Sequence, residues 1–115
     1  MKRVRERSPS EFGIPSIAAH ELYFGAYTIR AVKLKRILLA LDYLRIPVVE
    51  FNREDVQEAG QLRALLAAAG TPIGPYDVLI AGQAKARNLI LVTRNVREFA
   101  TVGGLCIEDW EADEQ

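Results

Sequence analysis

At 115 residues, half of them hydrophobic and 26% charged, the chain has the length and balance of one soluble globular domain. Fifteen Lys and Arg side chains cancel fifteen Asp and Glu, so the formal net charge is zero, which argues against coating nucleic acid through bulk charge but allows a local basic rim. One cysteine, Cys106, excludes an internal disulfide and Cys-rich metal sites; no apolar run approaches the ~20 residues of a membrane span, and no apolar h-region follows the basic N-terminus, so a cytoplasmic protein is expected.

In chain order, residues 1–12 are polar and charged, with Lys2, Arg3, Arg5 and Arg7, and fit the end of a helix closed by Ser8-Pro9. Residues 13–17, Gly-Ile-Pro-Ser-Ile, predict a short strand, placed near an edge or its own end because Pro15 lacks a ladder donor. Ser16 is an N-cap candidate for a helix from Ile17 to about Ala26, in which Ile17, Glu21 and Phe24 share one face. That spacing aligns Glu21 with core-facing neighbours. A second helix is predicted from about Ile29 to Leu44, with a stripe of Leu34, Ile37, Leu38, Leu41 and Leu44 and a basic face of Arg30, Lys33, Lys35 and Arg36.

Residues 47–51 read as a strand. Asn52 caps a third helix, with Asp55 at its third position and a stripe of Val56, Ala59, Leu62, Leu65 and Leu66, ending at a C-cap glycine, Gly70. Gly-Thr-Pro-Ile-Gly-Pro-Tyr-Asp at 70–77 is a stiff turn that sets Asp77 at the opening of a fourth helix, Val78 to Ala86. Leu89–Thr93, with no polar alternation, predicts a buried strand. A helical turn at 96–99 and a last strand at Leu105-Cys106-Ile107, with Cys106 buried, lead into an acidic tail from Glu108. Strands alternating with helices predict an α/β domain, a parallel sheet with helices on both faces, spanning 1–115 as one unit.

In such sheets, sites form at the carboxyl ends of the strands. Glu21, Asp77 and Asn95 fall there or in the first turns beyond. Two carboxylates and an amide oxygen form a hard donor set suited to Mg²⁺ or Mn²⁺, which could activate a water and stabilise charge on a phosphodiester. Arg94, between Thr93 and Asn95, is placed to touch substrate phosphate at the cleft rim. Each residue also has an ordinary structural role: Glu21 as a solvent-exposed side chain, Asp77 as a helix cap, Asn95 as a turn residue, and His20 as a surface or packing histidine.

Taken together, three segments carry a resemblance: Ser16–Ala26 (SIAAHELYFGA), Gly70–Asp77 (GTPIGPYD) and Leu91–Phe99 (LVTRNVREF), followed by Gly104-Leu105 and Glu108-Asp109-Trp110. The chain resembles the PIN-domain toxins of VapC type, ribonucleases of type II toxin–antitoxin pairs, from about Gly13 to Trp110. The resemblance implies a PIN-like three-layer fold and an Mg²⁺- or Mn²⁺-dependent endoribonuclease. In it Glu21 matches the second acidic ligand, Asp77 the third, Asn95 a fourth position that is Asp or Asn across the family, and Thr93 a supporting hydroxyl. It further implies an RNA substrate, a VapB-like antitoxin whose C-terminal segment covers the cleft, and a homodimer.

One departure stands out. The family opens with a central strand ending Leu-Asp-Thr-Asn, whose Asp is the first ligand; here the first aspartate is Asp42, inside the second helix. Residues 1–12 resemble the end of the family's second helix, so a leading strand and a helix or so, roughly 20–30 residues, are expected to be missing. The true start lies upstream, or the flanking strands close on each other, or a second copy or partner fills the gap; the first is the favoured expectation. Two carboxylates alone would hold a metal weakly, so impaired cleavage is expected of the chain as written. The alternative is a degenerate PIN domain that binds an antitoxin or RNA without cutting. A nucleotide-binding α/β domain is disfavoured, because no Gly-rich phosphate loop follows a strand.

Overall fold

A computed structural model describes residues 12–28 and 32–109. The expected helix end within 1–11, together with Ile29, Arg30 and Trp110, lies outside the described residues. The elements in order are β1 (Ile14–Pro15), α1 (Ser16–Thr28), α2 (Val32–Tyr43), β2 (Val48–Val49), α3 (Arg53–Ala68), α4 (Pro75–Ala86), β3 (Ile90–Val92), α5 (Val96–Phe99) and β4 (Cys106–Glu108). They fall into two compact units, one ending at Glu50 and the other starting at Phe51. The α/β class stands, with short parallel strands in both units.

In the first unit β1 pairs with β2 in parallel, Ile14 opposite Val48 and Pro15 opposite Val49. Pro15 is the last residue of its strand, where its missing N–H is harmless. The buried residues of α1 are the small ones, Ala19, Gly25 and Ala26. A Cβ at Gly25 would collide with the Leu34 side chain of α2, so the glycine permits a close crossing of the two helices. This corrects the expected orientation of α1. Ile17, Glu21 and Phe24 do not form its core face: Glu21 is exposed and Phe24 is 64% exposed, because the close approach of α2 selects the Ala19–Gly25–Ala26 side.

In the second unit α3 and α4 form the main packing. Asn52 and Asp55 close both halves of a capping box: Asn52 Oδ1 accepts from the Asp55 amide at 3.2 Å, and Asp55 Oδ2 accepts from the Asn52 amide at 2.9 Å. The helix ends just before Gly70, which turns the chain at φ +73°, a conformation that costs glycine nothing. The buried stripe of α3 is Asp55, Ala59, Leu62 and Leu66, while Val56 and Leu65 are 55% and 59% exposed. The expected stripe was therefore rotated: a carboxylate takes the place assigned to Val56. Leu62, Leu66, Val78, Ala81, Phe99 and Val102 make the core, with Leu91, Leu105 and Ile107 packed against it.

Asp55 tolerates full burial because four donors meet its carboxylate. Besides the Asn52 amide, Gln83 donates from Nε2 at 3.2 Å, and Arg87 donates from Nε at 3.2 Å and from Nη2 at 2.8 Å. Burial pushes this carboxyl up, but the Arg87 guanidinium, the Asn52 N–H and the Gln83 amide outweigh it and hold it below the usual aspartate range. The node ties the start of α3 to the end of α4. From there Asn88, at φ 53°, turns the chain into β3.

β3 and β4 pair in parallel with Leu91 opposite Ile107, and these two side chains cover the core. Ile90 and Val92 point the other way and are 45% and 43% exposed, and Cys106 is exposed with them. Two expectations are corrected here, the buried Cys106 and the strand covered on both sides. An unbroken apolar run suggests a strand buried on both faces, but among the described residues one face is covered and the other is not.

Candidate metal centre

Asp77 sits in the first turn of α4, after the N-cap Gly74 and with Pro75 at the start of the helix. Proline is preorganised there and its absent N–H is not missed. The turn therefore presents a half-buried carboxylate at the positive end of a helix.

Glu98 meets Asp77. The Gly74 amide donates to Glu98 Oε1 at 2.8 Å, the Asn95 side chain donates from Nδ2 to Glu98 Oε2, and the Asp77 carboxyl hydrogen-bonds Glu98 as well. The Gly74 N–H is the main reason that the Glu98 carboxyl lies below its usual range, with Asp77 and Asn95 adding to it against the opposing effect of burial. Gly74 also leaves room for the pair: a Cβ there would stand 3.1 Å from Asp77 Oδ2 and 3.6 Å from Glu98 Oε1. Thr93, at the end of β3, accepts the Asn95 amide on its hydroxyl at 3.0 Å.

Of the five residues singled out by sequence, the second unit thus joins three, Asp77, Asn95 and Thr93, through bonds to Glu98 and to one another. Arg94 is exposed between Thr93 and Asn95. Glu21 is an exposed residue of α1 in the other unit, and its neighbour His20 is exposed with Nδ1 3.0 Å from the Ile17 carbonyl oxygen. Among the described residues no three His, Cys, Asp or Glu side chains stand together as a ready metal cluster. Sequence reasoning missed Glu98. Its signal was the Asn95-x-x-Glu98 spacing, that of a helix cap and its third residue.

The chemistry of this group fits a hard divalent cation. Two carboxyls in hydrogen-bonding contact share a proton or ionise together around a cation. The sequence pattern of the PIN domain family matches residues 1–105. The chain belongs to the PIN domain family. This PIN domain is 39% identical over 112 residues to the tRNA(fMet)-specific endonuclease VapC of Salmonella typhimurium, spanning 95% of this chain and 85% of that protein. It is 40% identical over 110 residues to the Shigella flexneri enzyme of the same name, spanning 93% of this chain and 83% of the other. In structure it is similar to DNA-bound VapBC from Salmonella typhimurium, with a TM-score of 0.80 at 39% identity over 96% of this chain and 86% of that one. VapBC2 from Rickettsia felis, bound to a promoter DNA fragment, gives 0.73 at 34% identity over 85% and 74%.

Proposed function

We propose that this PIN domain is the toxin of a type II toxin–antitoxin pair, an endoribonuclease that works with Mg²⁺ or Mn²⁺. The observation that supports the reading most directly is a carboxylate and an amide, Asp77 and Asn95, organised around Glu98 in a chain about 40% identical to VapC endonucleases. Glu21, Asp77 and the Asn95 side-chain oxygen are the residues that would hold the metal. Bound there, the ion would supply an activated water and charge neutralisation at the scissile phosphate. The chain's own part is to position. Asp77 presents its carboxylate from a preorganised helix start, the Thr93 hydroxyl fixes the Asn95 backbone, and Arg94 gives a cation for a substrate phosphate.

Structured tRNA is the first substrate class to test, because two relatives are named for cutting tRNA(fMet). A VapB-like antitoxin is the expected partner, since VapBC complexes are among its structural neighbours. The reading also includes a homodimer, a single PIN-like domain over 1–115 and a cytoplasmic location. Among the described residues no helix is long and apolar enough to cross a membrane.

The test is Mn²⁺ binding by calorimetry alongside cleavage of tRNA with Mn²⁺ or with EDTA. Wild type should bind Mn²⁺, though weakly with two carboxylates, and cleave only feebly, and Asp77→Asn should weaken binding further and abolish whatever divalent-dependent cleavage there is. Mn²⁺ affinity untouched by Asp77→Asn would overturn the metal site; RNA bound but never cut would leave a binding domain instead of a nuclease.

A further inference from the structure

The aromatic side chains of the second unit are unequally placed. Among its described residues, Phe99 is buried in the core and Phe51 is half-buried, but Tyr76 is 48% exposed. Tyr76 is the second residue of α4, between Pro75 and Asp77. Both sides of it are held. Pro75 fixes φ at the helix start, and Val78, two residues on, is buried in the core. The ring is therefore carried on a rigid helix start, and a tyrosine has only two χ angles to fix on binding. Neither helix propensity nor the helix dipole asks for a tyrosine in a first turn. Successive helical residues leave the axis about 100° apart. The half-buried Asp77 thus turns one way, to Glu98, and the Tyr76 ring another, from Cα atoms about 3.8 Å apart.

We propose that Tyr76 is a substrate-binding residue: its ring stacks on an unpaired nucleobase of the RNA strand whose phosphate lies at Asp77. This rests on the ribonuclease reading given above. A base inside a duplex has both faces covered by its neighbours, so only an unpaired one can be laid on the ring. Every base has such a face, and the contact therefore fixes where the strand lies rather than which letter it carries. The surroundings favour a base over an apolar protein partner. The exposed rings of the first unit lie together on α1, where Tyr23 and Tyr27 have centroids 6.0 Å apart and Phe24 is exposed beside them. Tyr76 lies in a turn with Thr71, Pro72 and Pro75 exposed and a carboxylate next to it. A flat apolar face bordering a polar group matches a nucleotide, which has a flat base and a charged phosphate.

Tyr76→Phe keeps the ring, and Tyr76→Leu keeps apolar bulk without it. Both are compared with wild type in the full chain. Circular dichroism confirms folding, and Mn²⁺ affinity by electron paramagnetic resonance reports on the neighbouring carboxylates. The probe is a fluorescein-labelled tRNA stem-loop in EDTA, so that binding is read without cleavage, together with versions lacking one loop base at a time. Tyr76→Phe should bind like wild type, and Tyr76→Leu roughly 5-fold or more weakly. One abasic position should weaken wild type by a similar factor and cost Tyr76→Leu little more, because base and ring are the two halves of one contact. Three results would overturn the proposal. In the first, Tyr76→Leu binds the intact RNA as tightly as wild type, which leaves the ring to a protein partner. In the second, no abasic position distinguishes wild type from Tyr76→Leu. In the third, Mn²⁺ affinity falls together with RNA binding in Tyr76→Leu, which makes the role structural. RNA bound through Tyr76 but never cut with Mn²⁺ would keep the stacking and end the nuclease reading, and a wild type that binds no RNA would end both.

Discussion

Gly82 and Gly60 separate helix propensity from packing. Both lie inside helices, Gly82 in α4 and Gly60 in α3. By propensity alone, each Gly→Ala change should stabilise by about 1 kcal/mol. The surroundings differ. A Cβ on Gly60 would meet no atom within 4 Å, whereas one on Gly82 would lie 2.5 Å from the Ala59 Cα, 2.6 Å from its Cβ and 2.8 Å from its N. Ordinary carbon contacts stand at about 3.5–4.0 Å, so α3 and α4 would have to part by roughly 1 Å. The obstacle is helix backbone, which cannot turn aside as a side chain can. Parting the helices also loosens Leu62, Leu66, Val78 and Ala81 in the shared core. Overpacking of this kind costs about 1–3 kcal/mol and sometimes more, which outweighs the propensity gain. Gly60→Ala should therefore raise stability by roughly 0.5–1 kcal/mol, and Gly82→Ala should lower it by about 2 kcal/mol. Urea unfolding followed by circular dichroism measures both, and in a thermal scan the Gly82 variant should melt about 8 °C lower. Gly82→Ala as stable as Gly60→Ala would refute the close helix crossing.

The buried Asp55 makes a second prediction. Asp55→Ala removes the buried acceptor that Gln83 and Arg87 share and breaks the capping box, a loss of about 2–4 kcal/mol in all. Gln83→Leu and Asp55→Ala each break the same Gln83–Asp55 bond, so the double variant should lose less than the two single changes summed; strict additivity in that double-mutant cycle would count against the node. The pH dependence has a definite sign. The folded Asp55 carboxyl lies below its unfolded value, so its contribution is complete above about pH 4 and disappears as pH falls through the lower folded value. The deficit of Asp55→Ala against wild type should accordingly be constant near neutrality and shrink below about pH 4 in acid titrations. Cys106 is exposed, so a thiol reagent should label it in the native protein about as readily as in urea; protection lifted only by unfolding would show that something covers that face of the sheet.

Much of the local structure was legible in sequence because it depends on neighbours along the chain. The capping box at Asn52–Asp55, the glycine stop at Gly70, the helix start before Asp77 and the short helix after Asn95 all follow from residues within about one turn of each other. Errors fell where a partner from elsewhere decided the outcome. The cap spacing gave Asp55 its place in the helix but no sign of its burial, which Gln83 and Arg87, 28 and 32 residues on, make tolerable. Glu21 looked core-facing until α2 came close along the other side of α1 at Gly25.

The sequence by itself determined the alternation of strands and helices, the stiff glycine-proline turn that presents Asp77, and the motif order shared with PIN domains, because these are properties of backbone preference and of short-range spacing. Only the tertiary structure decided which helix faces are buried, and that the Asn95 side chain meets the Glu98 carboxylate instead of capping α5. Those outcomes depend on which donors and side chains arrive from distant parts of the chain. A hydrogen bond such as Gly74 to Glu98 exists only once α4 and α5 have packed on the same core.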